Sequence, residues 1–379
     1  MMETDVGDGV RDVRDRVSAS NEALRKNKRL EAQSSRRNLS KDDFNHELSD
    51  KEFKTLMNLC KGGKLSVAQL RQLSQSLSSS VNGDHAQLLL NSDGCLHSLV
   101  GYLSSPSDPS KQVLAVQCLV NLAANGYKGP LLAKAAGAYL VTLIAGTNRT
   151  LAEHSCLVIS NLCLADKLSS PILINLDAVE NLINLATSSS GSVQDAALQA
   201  LYNLVKNERP SSELSRRLVT TCMSLMSPAR DLPPIHLLWL LYLLSSSPTL
   251  HPHMANTTFL HQCVDIATYE IFQKCDTRPI VKLLTPVVRI LANLSAGPDS
   301  VSVCLTLLRH PDIPTILTSL LSTNYLHLCR ESLWLFANIV NNENVTVQEE
   351  FVNQDLMDKL ESHAVHAVGR LDPYALAGN

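Results

Sequence analysis

The chain has 379 residues, of which 45% are apolar and only 4% are aromatic, and its formal net charge is −3. This composition is that of a folded, globular protein and excludes a fibrous or wholly disordered chain. The near-neutral charge excludes the globally basic surface with which nucleic-acid-binding proteins attract phosphate groups, so nucleic acid is an unlikely partner. Because aromatic residues are so few, we expect a helical core of aliphatic and small side chains.

The N-terminal sequence and the longest apolar run favour a protein of the cytoplasm and the nucleus. Residues 1–16 are too charged for a signal peptide and too acidic for a transit peptide. The longest dense apolar run, residues 235–244, is about half of the roughly 20 residues that a membrane-spanning helix needs. We therefore predict a buried helix there and no contact with a membrane. The ten cysteines include no C-x-x-C pair and are expected to be reduced core residues.

The first 45 residues divide by charge into two predicted segments. Residues 1–10 carry three acidic side chains and no basic one, and we predict an acidic, disordered tail. Residues 11–41 carry ten basic and four acidic side chains, a net charge of +6, so the remainder of the chain carries −6. We predict that residues 11–45 form a flexible basic arm.

Part of this arm has the composition of a helix. Residues 21–33 are good helix formers without Gly or Pro, and Ser20 precedes them as an N-cap. Leu24 and Leu30 are the only large apolar residues of this stretch, so the helix is either frayed in solution or folded on a partner. Taken alone, a basic arm could also be a solvated tail, a nuclear-localisation signal or an RNA-binding patch.

From about residue 52 onward, apolar residues follow helical spacing, and one Asn recurs inside successive apolar helices. The recurring residues are Asn121, Asn161, Asn203, Asn293 and Asn338. The intervals between them are 40, 42, 90 and 45 residues, and the longest interval contains a similar segment, residues 239–244, with Leu243 in the Asn position. A period of roughly 40 to 47 residues belongs to helical solenoids of the armadillo or HEAT type.

We therefore predict an all-α fold, an armadillo-type right-handed superhelical solenoid of about six repeats. The solenoid is assigned to residues 52–369, with the repeats between about residues 88 and 345, and is followed by a C-terminal tail at 370–379. Degenerate caps are expected at residues 52–80 and 347–369. Each repeat would contain a short helix and two longer ones, and neighbours must stack because one repeat cannot cover its own apolar faces.

The recurring Asn residues are candidate peptide-binding groups. In a stacked array the last helix of every repeat lines the same surface, so one Asn per repeat forms a ladder of side-chain amides. Each amide offers one acceptor and two donors, which match the backbone of an extended peptide. The alternative is that each Asn only bonds the backbone of its own or a neighbouring repeat. Because five Asn residues are in register, we favour a groove that binds an extended peptide.

The arm and the ladder together resemble the importin-alpha family of nuclear import adaptors. The stretch Asn21-Glu-Ala-Leu-Arg-Lys-Asn-Lys-Arg-Leu30, followed by Arg36-Arg37-Asn38, is similar to the importin-beta-binding segment of that family. The resemblance implies that an importin-beta-type carrier binds the arm and that the groove binds the localisation signal of a cargo protein. The carrier-binding residues that it implies are Leu24, Arg25, Lys26, Lys28, Arg29, Leu30, Arg36 and Arg37.

The family also places a Trp four residues before the Asn, where it stacks on cargo Lys and Arg side chains. Here only Trp334 with Asn338 keeps this pair, and Trp239 has Leu243 in the Asn position. The implied groove residues are therefore Asn121, Asn161, Asn203, Asn293, Trp334 and Asn338. The other four positions before an Asn hold Gln117, Leu157, Gln199 and Arg289. The function that we expect first is that of an adaptor in nuclear import, and the missing Trp residues motivate an alternative, an armadillo-repeat interaction scaffold that does not recognise import signals.

Enzyme chemistry and metal binding have no support in the sequence. The chain contains no P-loop, G-x-G-x-x-G, G-x-S-x-G or H-E-x-x-H motif, so we expect neither catalysis nor a cofactor. The densest cluster of metal-ligand types is His251, His253, His261 and Cys263, and its spacing fits no familiar zinc module. We therefore predict no metal site.

Overall fold

The computed structural model describes residues 48–78, 84–104, 108–226, 232–272, 279–353 and 356–371. All regular secondary structure in these ranges is helical, and they contain no β-strand, as the sequence predicts. The predicted tail at 1–10 and the arm residues up to 45 lie outside the described residues, as does most of the predicted C-terminal tail.

Twenty α-helices follow one another along the described ranges. The helices of the first half are α1 (Asp50–Lys61), α2 (Val67–Ser78), α3 (Asp84–Leu90), α4 (Cys95–Leu103), α5 (Pro109–Asn125), α6 (Gly129–Ala145), α7 (Arg149–Ala165), α8 (Ser169–Ile174), α9 (Ala178–Ser188) and α10 (Gly191–Asn207). The helices of the second half are α11 (Ser212–Ser224), α12 (Ile235–Ser245), α13 (His251–Met254), α14 (Thr257–Phe272), α15 (Pro279–Ser295), α16 (Ser300–Leu308), α17 (Ile313–Leu321), α18 (Leu326–Val340), α19 (Val345–Asn353) and α20 (Leu356–Leu371). A short 3-10 helix, Pro248–Leu250, precedes α13.

The fold is an armadillo-type solenoid of six units. The last helix of each unit packs on the last helix of the next, and we call these six the third helices: α5, α7, α10, α12, α15 and α18. Helix α2 packs on α5 and so begins the stack, and α20 packs on α18 at its other end. The preceding helices form a second layer in which α4 packs on α6, α6 on α9 and α9 on α11.

The units differ in the helices that precede the third helix. The third unit, which ends with α10, fits the expected pattern, with the six-residue α8 before the longer α9 and α10. In the unit that ends with α7, however, one 17-residue helix, α6, takes the place of the short and the long helix. In the unit that ends with α12, only α11 is described before it. The repeat period is therefore kept by the third helices, while the helices of the second layer vary from unit to unit.

The core is aliphatic, as the composition predicts. Phe53 and Phe259 are the only aromatic side chains of the described residues that are less than 2% exposed, and most of the remaining core is Leu, Ile, Val, Ala and Cys. The nine described cysteines are all buried and form no disulfide among themselves. Burial of such small aliphatic groups, at about 25 cal/mol per Å² of apolar surface, stabilises each interface between neighbouring units.

Local sequence signals position the third helices. Asp108 caps α5 by accepting a hydrogen bond from the Lys111 N–H at 3.2 Å, and Asn148 caps α7 by accepting one from the Leu151 N–H at 3.2 Å. Helix α5 ends at Asn125, and the next residue, Gly126, has a φ of 75°, the left-handed conformation that glycine adopts most easily. Between them these caps satisfy backbone groups that a helix leaves unpaired at its ends.

The long apolar run forms α12, an 11-residue helix with Leu237, Leu238, Leu240 and Leu241 fully buried. This confirms the predicted buried helix. In the described ranges, no helix has both the length and the apolar character that crossing a membrane requires.

Candidate functional site

The candidate site is the surface of the third helices that carries the recurring Asn residues. We define the third-helix face by the Asn position of each third helix and the position one turn before it. Four of the Asn side chains, those of Asn121, Asn161, Asn293 and Asn338, are partly exposed, whereas Asn203 is buried at 5% exposure. Because successive third helices pack on each other, these positions form one continuous row across the six units.

The amide donors of the ladder join neighbouring units. Asn161 Nδ2 donates to the Val120 carbonyl oxygen at 3.3 Å, Asn203 Nδ2 to the Ser160 carbonyl oxygen at 3.4 Å, and Asn338 Nδ2 to the Ala292 carbonyl oxygen at 2.9 Å. Each acceptor lies one residue before the Asn of the preceding unit, so the bond repeats in register. Asn121 Nδ2 donates in the same way to the carbonyl oxygen of Ser74 in α2, at 2.8 Å.

The unit that carries Leu243 in the Asn position is hydrogen-bonded to the next unit through a side-chain hydroxyl group. Asn293 Nδ2 donates to Ser245 Oγ at 2.9 Å, and this hydroxyl donates to the Tyr242 carbonyl oxygen at 2.8 Å. Tyr242 lies one residue before Leu243 and so corresponds to the acceptors of the other units. The hydroxyl group of Ser245 therefore bridges the two units where no Asn is present.

The Asn oxygens are available for a different role. Among the described residues, no hydrogen-bond donor is paired with Oδ1 of any of the five ladder Asn residues. Each amide thus uses its nitrogen between units and keeps an acceptor that matches a peptide N–H. The observed hydrogen bonds are those of the alternative in which each Asn bonds a neighbouring unit, and the binding of a peptide by the Oδ1 atoms stays a prediction.

The positions one turn before the Asn residues differ from unit to unit. Gln117, Leu157 and Gln199 are partly exposed side chains without a charge. Trp334 is 45% exposed, and it lies four residues before Asn338 on α18. An exposed indole at this position is the kind of anchor that dominates binding energy at protein interfaces.

Trp239 and Arg289 occupy this row in the two units before Trp334, and they contact each other. The guanidinium carbon of Arg289 lies 5.9 Å from the centroid of the Trp239 ring and 5.2 Å from that of Tyr242. Arg289 Nη2 also donates to Glu331 Oε1 at 2.6 Å. The Tyr202 ring lies 6.3 Å from that of Trp239. We call these five residues the arginine–aromatic cluster; it spans the four successive third helices α10, α12, α15 and α18.

The cluster changes the titration of nearby groups. Burial raises the pKa of Tyr202, and the neighbouring Tyr242 raises it further, against the opposing effect of Arg289. Burial and the positive charge of Arg289 lower the pKa of His327, which favours its neutral form beside the guanidinium. These directions agree with a guanidinium that is held close to the rings.

A hydrogen bond between side chains crosses the third helices nearby. His236 Nδ1 of α12 lies 2.7 Å from Asp195 Oδ1 of α10. Together with Arg289 and Glu331, this contact pairs acidic and basic groups of neighbouring units with each other. The middle of the third-helix face therefore offers few acidic groups to a basic ligand.

The other predicted residues are less informative. The structure does not describe the predicted carrier-binding residues, Leu24, Arg25, Lys26, Lys28, Arg29, Leu30, Arg36 and Arg37.

Of the residues considered for metal binding, His251 is buried and its Nε2 donates to the Ser245 carbonyl oxygen at 2.7 Å, while His261 packs against His310. In the described ranges, no group of three or more His, Cys, Asp and Glu side chains is arranged to hold a metal ion.

Sequence reasoning did not find the arginine–aromatic cluster. Trp239 and Arg289 are 50 residues apart, and the sequence identified Arg289 only as a charge in a position where a Trp was expected. One signal was available in the sequence. Trp239 has Leu243 where an Asn is expected, and in the next unit Arg289 stands where a Trp is expected before Asn293. Ser74 and Ser245 were missed as acceptors because each lies more than 40 residues before the Asn that donates to it.

Comparison with protein families finds no family model that matches the chain, and no curated protein matches it. Among solved structures, an engineered protein superimposes with a TM-score of 0.56 at 16% identity, over 88% of this chain and 95% of the other. A designed armadillo repeat protein in complex with the peptide (KR)4 superimposes with a TM-score of 0.49 at 17% identity, over 64% of this chain and 98% of the other. At 16% identity the likeness to the engineered protein concerns the fold alone.

Proposed function

We propose that this chain is a protein-interaction solenoid that binds an extended segment of a partner protein along its third-helix face, without a catalytic role. One observation carries the proposal: on α18 an indole that is 45% exposed lies one helical turn from Asn338, in the row that runs across all six units. A large exposed aromatic group costs free energy in water, and its position on this face favours a binding role.

The spacing of the ladder favours an extended ligand. A folded partner would contact a few units, whereas a straight backbone can meet equivalent positions on successive third helices. The Asn Oδ1 atoms supply acceptors for the N–H groups of such a backbone, and Trp334 supplies an apolar contact for one of its side chains.

A selection experiment tests this proposal. A library of linear peptides is selected on the full chain, and the dissociation constants of the selected peptides are measured with the wild type and with Trp334→Ala. We expect Trp334→Ala to weaken binding about tenfold or more, because loss of an aromatic anchor typically costs about 2 kcal/mol.

Tyr269→Ala is the matched control, since Tyr269 is also 45% exposed but lies on α14, outside the third helices. It should leave the affinity unchanged. Peptides that bind Trp334→Ala as tightly as the wild type, or that depend on Tyr269 instead, would show that the binding surface lies elsewhere.

The sequence of the arm favours a more specific proposal, that the chain is an adaptor in nuclear import. In this role the arm binds an importin-beta-type carrier, the third-helix face binds the localisation signal of a cargo protein, and the adaptor works in the cytoplasm and the nucleus. Support comes from the arm motif around Leu24 and Leu30, which resembles a carrier-binding segment, and from the Trp334–Asn338 pair.

Purified importin-beta provides the test of the arm. We expect it to bind the full chain and to lose affinity when four basic residues of the motif, Arg25, Lys26, Lys28 and Arg29, are changed to Glu. The matched control changes four basic residues outside the motif to Glu, namely Arg11, Arg14, Arg16 and Lys41. If both variants lose the same affinity, the interaction depends on the total charge of the arm and not on the motif. If the wild type and the motif variant bind equally well, the import role is rejected and the chain is an interaction scaffold.

A further inference from the structure

The arginine–aromatic cluster has the composition of a binding site for a cation. Trp239 and Tyr242 present their rings, and Glu331 presents a carboxylate that is 16% exposed. Aromatic faces and a carboxylate around one point attract the side chain of an Arg or Lys. In this chain the cation at that point is Arg289, with its guanidinium carbon 5.2 Å from the centroid of the Tyr242 ring.

Arg289 is held from two sides. Its guanidinium group lies near the Trp239 and Tyr242 rings of α12, and its Nη2 donates to Glu331 Oε1 of α18 at 2.6 Å. The Arg289 side chain is 27% exposed, so the contacts are only partly screened by water. A charge-assisted hydrogen bond and two ring contacts on one side chain fix the guanidinium in place.

A cationic side chain of a partner cannot use this site without a penalty. It would either displace Arg289 from the rings and from Glu331, or lie beside a guanidinium of the same charge. Asp195, an acidic residue of the neighbouring helix α10, is already 2.7 Å from His236. The Trp334 ring is different, because within the described residues no cation is stacked on it and it is 45% exposed.

We propose that Arg289 is a resident occupant of an aromatic cation site and a specificity-determining residue of the groove. It excludes Lys and Arg side chains of a bound segment from the part of the face formed by α12 and α15. The partner segment therefore has uncharged or acidic residues where it crosses these helices. This inference rests on the proposed binding of an extended segment to the third-helix face.

Removal of Arg289 should open the site. The probe is an octapeptide of alternating Lys and Arg residues, titrated calorimetrically into the full chain. We expect weak binding to the wild type and about tenfold tighter binding to Arg289→Ala, since a stacked cation with a released carboxylate contributes on the order of a tenfold change in affinity. Arg289→Lys keeps a resident charge and should bind as weakly as the wild type.

Two further variants separate this effect from a general change in charge. Arg217→Ala removes the same charge from an ion pair between α9 and α11, where Arg217 Nη1 lies 2.9 Å from Glu180, and should leave the affinity unchanged. Arg289→Ala combined with Trp239→Ala should lose the gain, because the rings no longer form the site. Circular dichroism verifies that each variant is folded; if Arg289→Ala is not, Arg289→Gln replaces it with the same expected gain.

The inference is overturned if folded Arg289→Ala or Arg289→Gln binds the octapeptide no more tightly than the wild type, or if Arg217→Ala gains as much. Its failure is distinct from failure of the proposed function. If the selected peptides need Trp334 but Arg289→Ala binds the octapeptide no more tightly than the wild type, only the proposed role of Arg289 is contradicted. A gain in Arg289→Ala without any peptide that needs Trp334 would contradict the proposed function alone.

Discussion

At Asn203 a single buried side chain links two units. Its Nδ2 lies 2.8 Å from Ser160 Oγ and 3.4 Å from the Ser160 carbonyl oxygen, and both residues are nearly inaccessible to solvent. A buried hydrogen bond that loses one partner leaves a polar group without compensation, which costs about 1 to 3 kcal/mol. The role of this Asn in stability can therefore be measured separately from any role in binding.

Asn203→Ala should lower the free energy of unfolding by about 1 to 3 kcal/mol. Ser160→Ala removes one of the two acceptors, and a double-mutant cycle should give a coupling energy of about 0.5 kcal/mol or more, because the two side chains share one interaction. Urea denaturation of the four proteins measures it. Strictly additive effects would mean that the amide and the hydroxyl group contribute independently.

At Gly297 the absence of a side chain makes room for His251. A Cβ atom at position 297 would overlap His251 Nδ1, and the His251 side chain is only 3% exposed. The same ring is held by its hydrogen bond to the Ser245 carbonyl oxygen, at 2.7 Å. The contact joins α13 to the turn that follows α15, so the ring cannot move away freely.

Gly297→Ala should therefore destabilise the protein by about 1 to 3 kcal/mol, the typical cost of overpacking. Gly101→Ala is the matched control: Gly101 lies in α4 with nothing within 4 Å of its added Cβ, and alanine is favoured over glycine in a helix. The control should be neutral or stabilising by up to about 1 kcal/mol. Comparable losses in both variants, measured by urea denaturation, would rule out the steric explanation.

At the scale of single helices, α7 shows how a polar residue fixes where a third helix begins. Asn148 accepts a hydrogen bond from the Leu151 N–H and so satisfies one donor of the first turn. The helix then presents Asn161 four turns later on the third-helix face. A change at the cap therefore acts on the whole helix that carries this part of the ladder.

We expect Asn148→Ala to cost about 1 kcal/mol in the free energy of unfolding, and Asn148→Asp to retain most of the stability because its carboxylate can accept the same bond. Thermal and urea denaturation distinguish the two. A loss in Asn148→Asp as large as that in Asn148→Ala would show that the cap contributes nothing through its acceptor.

The third helices could be predicted because their sequence signals are local. The number and length of the helices in the second layer could not be predicted. Apolar periodicity and an Asn at fixed intervals mark α5, α7, α10, α15 and α18 directly in the sequence. The fusion of two expected helices into α6 depends on packing against neighbouring units, which a single segment does not reveal. Helix α2 carries Gln75 in the Asn position, so the sequence does not show that it belongs to the stack, which is evident from its packing on α5 and from the bond that Asn121 makes to Ser74.

In the whole molecule, stability is distributed over interfaces between neighbouring units. Such an array can unfold in parts when one interface is weakened, because each unit contacts mainly the next one. Helix α12 is the shortest third helix, with 11 residues against 17 in α10 and α15, and it forms the connection between them. We therefore expect the solenoid to be most easily divided at α12.

Leu240→Ala should test this division. Leu240 is fully buried in α12, so truncation should cost about 2 to 5 kcal/mol and split the urea transition, followed by circular dichroism, into two phases. Leu168→Ala, at a position that is 62% exposed, should change the stability by less than about 0.5 kcal/mol. A single transition with an unchanged denaturant dependence would show that the array unfolds as one cooperative body.

Charge was the property of the whole chain that the sequence described only in part. The separation of a +6 segment at residues 11–41 from a body of −6 is evident without a structure. The pairing of charges on the third-helix face is not, because Asp195 with His236 and Arg289 with Glu331 are about 40 residues apart and meet only when units stack. The sequence therefore predicts the fold and the row of candidate residues, but not which side chains a cation can reach.

The central claim, that an extended segment binds along the third helices, is tested most directly by crosslinking. A photoreactive benzoylphenylalanine replaces Trp334 in one full-length variant and Tyr269 in another, and each is irradiated with a peptide selected on the wild type. The account predicts a peptide crosslink at position 334 and none at position 269. Crosslinking at 269 alone, or equally at both positions, would contradict it.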